Sequence, residues 1–243
     1  MISICIATYN GEKYIRPQVV SILNQIALDD EIIVSDNGST DLTIDILRSF
    51  NDRRIKIYSY NTDVKNKFYR ITKNFENAIV QSRGEYVYLA DQDDIWMEGK
   101  FEQVKKDLAN SKCVITNYKI IDEHGNTVVD RFYNYNPLKY WLPCILKFPF
   151  LGCTMAFRRD FFYEYCYPFP DKLILHDIWI GLIAYIKREL FFDDSVLHCY
   201  RMHSCNMTTA SKGASNNSLV FKLQYRLYLY YHVFIRLIRH CFI

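Results

Sequence analysis

Asp91, Asp93 and Asp94 stand at the end of an apolar run, Tyr86-Val87-Tyr88-Leu89-Ala90, in the order Asp91-Gln92-Asp93-Asp94. The run is rich in aromatic and branched residues and reads as a buried strand. Three carboxylates at its end repel one another and lose hydration unless a cation lies among them. Alternating oxygen ligands suit a hard divalent ion that carries phosphates and keeps part of its water shell. An acidic surface turn would share this composition, so the cluster gains meaning only from what accompanies it.

Two further polar sets follow apolar runs in the same way: Thr8-Tyr9-Asn10-Gly11 and Asp36-Asn37-Gly38-Ser39-Thr40-Asp41. The second places a turn glycine ahead of Ser39 and Thr40, either of which can cap a helix whose first turn holds Asp41. Asp36 also offers a carboxylate that can accept from a base imide N–H. Neither set is a G-x-G-x-x-G fingerprint or a phosphate-cradling P-loop. A nucleotide bound here would have its phosphates held by a metal and basic side chains.

The elements that position these sets alternate. Residues 2–7, 31–35, 55–58 and 85–90 read as strands, and 13–25, 41–50 and 72–82 as helices. This pattern predicts an α/β fold with a mostly parallel, Rossmann-like central sheet covered by helices on both faces. Ligands bind beyond the carboxyl ends of such strands, so the three polar sets converge on one rim.

The chain has 243 residues, half of them hydrophobic, which is enough for one sizeable core and excludes disorder. A net charge of +3 does not point to nucleic acid. Eight cysteines without a C-x-x-C pair favour neither zinc nor a disulfide framework, and fit reduced thiols in a cytosolic protein. The strand at residues 2–7 leaves no room ahead of it for a secretory leader.

Taken in order, Ala7-Thr8-Tyr9-Asn10-Gly11, Ser35-Asp36-Asn37-Gly38-Ser39-Thr40-Asp41 and Leu89-Ala90-Asp91-Gln92-Asp93-Asp94-Ile95-Trp96 resemble a family 2 glycosyltransferase with the GT-A fold. The closest likeness within that family is to rhamnosyltransferase-like enzymes of bacterial surface polysaccharide assembly. It continues through Gly152-Cys153-Thr154-Met155-Ala156-Phe157, His176-Asp177-Ile178-Trp179-Ile180-Gly181 and Tyr200-Arg201-Met202-His203, covering roughly residues 1–206.

The resemblance implies a donor-binding half over 1–95 and an acceptor-binding half over 96–206. Thr8 and Asp36 would hold the base and ribose of a UDP-, dTDP- or GDP-sugar, with Tyr9 nearby and Lys73 or Arg70 facing the nucleotide. Asn37 stands where the family often has a second aspartate. Asp91 and Asp93 would form the site for Mn²⁺ or Mg²⁺, completed by His203, and Asp94 would contact the sugar or brace the loop. Asp177, ahead of an apolar helix over 178–186, would be the general base of an inverting transfer to a glycan or lipid-linked acceptor. Without the resemblance, Asp177 reads as a helix-start carboxylate favoured by the macrodipole, and His203 as a surface residue after a strand. Trp96 and Trp179 suit either sugar stacking or the core.

Rhamnose or another hexose is the expected sugar. The alternatives are a sugar nucleotidyltransferase, which would need a glycine-rich basic loop after the first strand, and a non-catalytic nucleotide- or glycan-binding module of the same fold.

Residues 131–151, dense in aromatics and proline, read as an irregular insertion over the acceptor cleft. Residues 207–243 read as a mobile linker, beginning near 204, followed by a basic amphipathic helix. On that helix Lys222, Arg226, His232, Arg236, Arg239 and His240 share one arc at 100° per residue. A basic face with aromatic neighbours predicts an anchor on an anionic leaflet, hence a peripheral location on the inner face of the cell membrane, with packing on the catalytic domain as the alternative.

Overall fold

The structure is a computed structural model and describes residues 1–62, 66–170, 174–203 and 218–239. The linker at 204–217, His240 and the segments 63–65 and 171–173 lie outside the described residues.

The first half alternates as the pattern predicts: β1 (Ile2–Thr8), α1 (Ile15–Leu23), β2 (Glu31–Asp36), α2 (Thr43–Ser49), β3 (Ile55–Ser59), α3 (Lys67–Gln81) and β4 (Tyr86–Asp91). Then come β5 (Ile95–Trp96), α4 (Lys100–Leu108), β6 (Cys113–Ile121), β7 (Thr127–Val129), α5 (Trp141–Lys147) and β8 (Met155–Arg158). A short α6 (Arg159–Phe161), α7 (His176–Ile186), β9 (Leu190–Arg201) and α8 (Leu219–Arg239) complete the fold. α3 starts five residues before the periodic stretch suggests, because Asn66 Oδ1 accepts from the N–H groups of Phe68 and Tyr69 and caps an extra turn.

The strands form one sheet in the order β3-β2-β1-β4-β8-β6-β9-β5, with β7 paired to β6. β1, β2, β3 and β4 are mutually parallel, and the register sets Thr8 opposite Asp36 and Ala7 opposite Asp91. β8 runs antiparallel between β4 and β6 and so joins the second half to the first.

Alternation along each strand feeds two cores. Ile4, Ile6, Ile32 and Val34 meet α1, α2 and α4 on one face. Cys5, Ile33, Val87 and Leu89 meet α3, α7 and α8 on the other. Trp96 and Trp179 are both buried in these cores, which removes them from sugar stacking.

Two expectations for the second half are corrected. Residues 131–151 are not wholly irregular, since Trp141–Lys147 form α5. Arg226 and Arg236 of the basic arc of α8 do not face outward. Arg226 donates to the Leu146 carbonyl (2.8 Å), and Arg236 donates to the carbonyls of Tyr167 and Pro168 (both 2.6 Å) with its guanidinium 5.4 Å from the Trp179 ring. Backbone carbonyls that lack helix or strand partners draw these cations inward.

Candidate active site

A cleft of about 520 Å³ lies across the carboxyl ends of β1, β2 and β4, within the size range of small-molecule sites. Thr8, Tyr9, Asn37, Arg70, Asp91, Asp93, Gly152, His176, Asp177 and His203 all line it. Residues from 8 to 203 in the sequence thus meet at one rim.

On the donor side, Tyr9 is exposed over the cleft, with the Arg70 guanidinium 5.4 Å from its ring. Lys73, expected to face the nucleotide, bonds instead to Glu76 at 2.6 Å and does not line the cleft, whereas Arg70 does. Asp36 lies beside Thr8, whose Oγ1 donates to Asp36 Oδ1 at 3.4 Å, but is not itself among the residues lining the cleft. Its carboxylate accepts from Ser39 Oγ (2.5 Å) and from the N–H groups of Gly38 and Ser39 (3.1 and 3.0 Å), so it staples its own turn. It is the neighbouring Asn37 that lines the cleft. Gln92 ties the first and third polar sets together. Its Oε1 accepts from Tyr9 N–H (2.9 Å), its Nε2 donates to Tyr9 O (3.2 Å), and Gly11 leaves the room this needs. A Cβ at Gly11 would lie 2.5 Å from Gln92 Oε1.

The acidic cluster has ligand atoms of Asp91, Asp93 and Asp94 within 4.8 Å of one another. His203 Nε2 lies 2.7 Å from Asp93 Oδ2. Burial, then the charges of Asp94, Asp93 and Asp177, pushes the Asp91 carboxyl well above the usual range. Carboxylates crowded to this degree fit a divalent cation, which would hold Asp91 in its charged form. Asp91, Asp93 and His203 supply the mixed oxygen and nitrogen set that suits Mn²⁺ at least as well as Mg²⁺.

Asp94 is turned away from that role. Its Oδ1 accepts from Arg201 N–H (2.8 Å) and its Oδ2 lies 2.8 Å from His198 Nε2. The Lys100 ammonium lies 2.9 Å from His198 Nδ1 and donates to Cys153 O at 2.8 Å. An ammonium can only donate, so Nδ1 is the acceptor and the imidazole proton sits on Nε2, facing Asp94. Burial and Lys100 hold His198 far below its ordinary pKa, as a neutral bridge requires. Arg201 adds a bond from Nε to Asp93 O at 2.8 Å. The residues that present the acidic loop are therefore fixed from beneath by a fully buried carboxylate–imidazole–ammonium chain. No sequence motif marked Lys100 or His198, because their partners lie 98 and 104 residues away.

Asp177 occupies the opposite wall, in the first turn of α7. Its oxygens accept from the N–H groups of Ile178 (2.8 Å) and Gly152 (3.3 Å). Those bonds lower its pKa, but burial outweighs them and raises it from 3.8 to about 6. Gly152 follows Leu151 in the tight turn Gly152–Thr154 and comes so close that a Cβ there would meet His176 Nε2 at 2.7 Å. His176, which the motif carries without an assigned role, lies beside Asp177 on this wall. It is 5% exposed, stacked on Phe75 at 4.1 Å, and both ring nitrogens lack a hydrogen-bond partner. Burial holds it neutral, with a pKa lowered to about 3.

Comparison with known proteins follows the same lines. A model of glycosyl transferase family 2 matches residues 3–166. The chain is 28% identical over 187 residues to the Escherichia coli UDP-Glc:alpha-D-GlcNAc-diphosphoundecaprenol beta-1,3-glucosyltransferase WfgD, covering 75% of this chain and 70% of that one. It is also 28% identical over 233 residues to the Shigella flexneri dTDP-rhamnosyl transferase RfbG, covering 90% and 76%. Among solved structures, Staphylococcus aureus TarS in complex with UDP-GlcNAc superposes with a TM-score of 0.68 at 21% identity, over 88% of this chain and 61% of that one. The shared architecture is the GT-A fold. With a family model matching residues 3–166, about two thirds of its length, the chain belongs to glycosyl transferase family 2.

Proposed function

We propose that this glycosyltransferase is metal-dependent and inverting, and moves a sugar from a nucleoside diphosphate donor to a glycan or lipid-linked glycan. The observation that carries the reading is the placement of Asp177, with its raised pKa, in the same cleft as the Asp91–Asp93–His203 set. Tyr9, Asn37 and Arg70 would receive the nucleotide, with Thr8 at the foot of the cleft. A rhamnosyl group is the first candidate and another hexose the second, and the relatives' UDP- and dTDP-sugars support a donor of this class. The lipid diphosphate in the first relative's name supports a lipid-linked acceptor and hence work at the inner face of the cell membrane.

In the mechanism, Asp91, Asp93 and His203 would hold Mn²⁺ or Mg²⁺, and the ion would neutralise the departing diphosphate. Asp177 accepts the acceptor hydroxyl proton as that oxygen attacks the anomeric carbon and the bond to the diphosphate breaks. Neutral His176 beside it can give one hydrogen bond and take another. Gly152 N–H fixes the carboxylate toward the cleft.

A donor screen by diphosphate release tests this reading. UDP-, dTDP- and GDP-sugars are offered with Mn²⁺ or Mg²⁺ and generic glycan acceptors, beside Asp93→Asn and Asp177→Asn. Metal-dependent release from one donor, lost in both variants, is expected. No release together with no metal-dependent nucleotide binding would sink the assignment.

A further inference from the structure

The inward turn of the basic arc leaves α8 with an unexpected outer face. Val220, Leu223, Leu227, Tyr231 and Phe234 are between 60% and 65% exposed. Their spacing of three, four, four and three residues makes one stripe, about 20 Å long at 1.5 Å per residue. Isolated exposed hydrophobes are ordinary, but a continuous stripe marks a surface that is covered in use.

The stripe continues onto α5. Arg226 and Tyr230 of α8 bond to the carbonyls of Leu146 (2.8 Å) and Ile145 (2.5 Å), which holds the two helices side by side. α5 adds Trp141 at 64%, Leu142 at 55% and Leu146 at 44% exposure.

We propose that the outer faces of α5 and α8 form one docking surface for an anionic lipid bilayer, entered by the apolar stripe rather than by the basic arc. Charge decides the occupant. Neither residues 131–159 nor residues 218–243 contain an aspartate or glutamate. Lys139 just before α5, Lys147 at its end and Arg239 at the end of α8 are exposed. Cations flanking an apolar face match acidic headgroups over acyl chains. Trp141 and Tyr231 are residue types that settle at that boundary. A second copy of the chain would bring the same cations face to face with no acid in the patch to pair them. No described helix is long and apolar enough to cross a membrane, so the surface lies on the bilayer.

The inner side of α8 packs against α7, the helix that carries Asp177 in its first turn. A lipid-linked acceptor would thus be offered from the side of the wall that carries Asp177. That consequence rests on the transferase reading above, whereas the binding itself does not.

The test is co-sedimentation of the full chain with vesicles of phosphatidylcholine alone or mixed with phosphatidylglycerol. Binding to the anionic vesicles, weakened by salt, is expected. The double variant Leu227→Glu/Phe234→Glu should lose about tenfold or more of that binding. Its melting temperature and metal-dependent nucleotide binding should stay unchanged, since both side chains point away from the core. Lys139→Glu/Lys147→Glu should weaken binding to anionic vesicles only. Equal binding to both vesicle types, no binding at all, or a dimer in light scattering that Leu227→Glu/Phe234→Glu dissociates would each overturn the proposal. A chain that binds vesicles but releases no diphosphate would instead count against the transferase reading alone.

Discussion

Asp177 illustrates how a single carboxylate is set by competing terms. A helix start and two N–H bonds favour its charged form, yet burial prevails and lifts it from 3.8 to about 6. A base must be deprotonated to act, so the rate should be flat above about pH 6 and fall tenfold per unit below it, read from kcat/KM against pH. The same shift makes the folded state bind this proton more tightly than the unfolded chain. Its contribution to stability is therefore present below 3.8 and lost as pH rises through about 6. Asp177→Asn should lower kcat by about 10²–10⁴-fold with little change in donor binding, measured by calorimetry beside turnover. Lys100 makes the opposite kind of prediction. Lys100→Met removes the only cation of the buried Asp94–His198–Lys100 chain and should cost about 3–5 kcal/mol, seen as a lower denaturation midpoint.

Elements earn their positions here through close approaches. α7 and the 3₁₀ turn Gly152–Thr154 press together at Gly152, and α7 meets Phe150 at Gly181, where an added Cβ would collide with the phenyl ring. Gly181→Ala should destabilise by about 1–3 kcal/mol through overpacking, measured by chemical denaturation. Gly152→Ala should act differently. It displaces His176 and Asp177 from their wall, so its main effect should fall on kcat rather than on the denaturation midpoint. α5 and α8 are joined by bonds from Arg226 and Tyr230 to the carbonyls of Leu146 and Ile145, which leaves their apolar faces outward.

At the scale of the molecule, a single sheet carries both halves of the cleft, and β8 is the strand that joins them. Asp91, Asp93 and Asp94 crowd one another at the rim of that sheet, and a bound cation would relieve their repulsion. A ligand that binds only the folded state stabilises it by mass action. Mn²⁺ with UDP or dTDP at about 100 times Kd should add about 2.7 kcal/mol, visible as a raised melting temperature that EDTA reverses.

Local sequence was enough for the alternation of strands and helices, the acidic loop at the end of β4 and the helix start at Asp177. Each is written in periodicity or in neighbouring residues, and periodicity reports burial directly. The choice of Arg70 over Lys73 at the cleft was not legible, because Arg70 enters α3 only through the extra turn that Asn66 caps, while Lys73 is drawn to Glu76. The stapled Asp36 and the core positions of Trp96 and Trp179 were likewise hidden, since a residue type does not reveal whether its partners are in its own turn or across the sheet. The bond between Gly152 and Asp177, and the Asp94–His198–Lys100 chain, join residues 25 to 104 positions apart. The outward face of α8 was decided in the same way. The sequence determined that the helix has a basic side and an apolar side, but only the carbonyls of α5 and of residues 165–168 that accept from Arg226, Tyr230 and Arg236 determined which side turns inward.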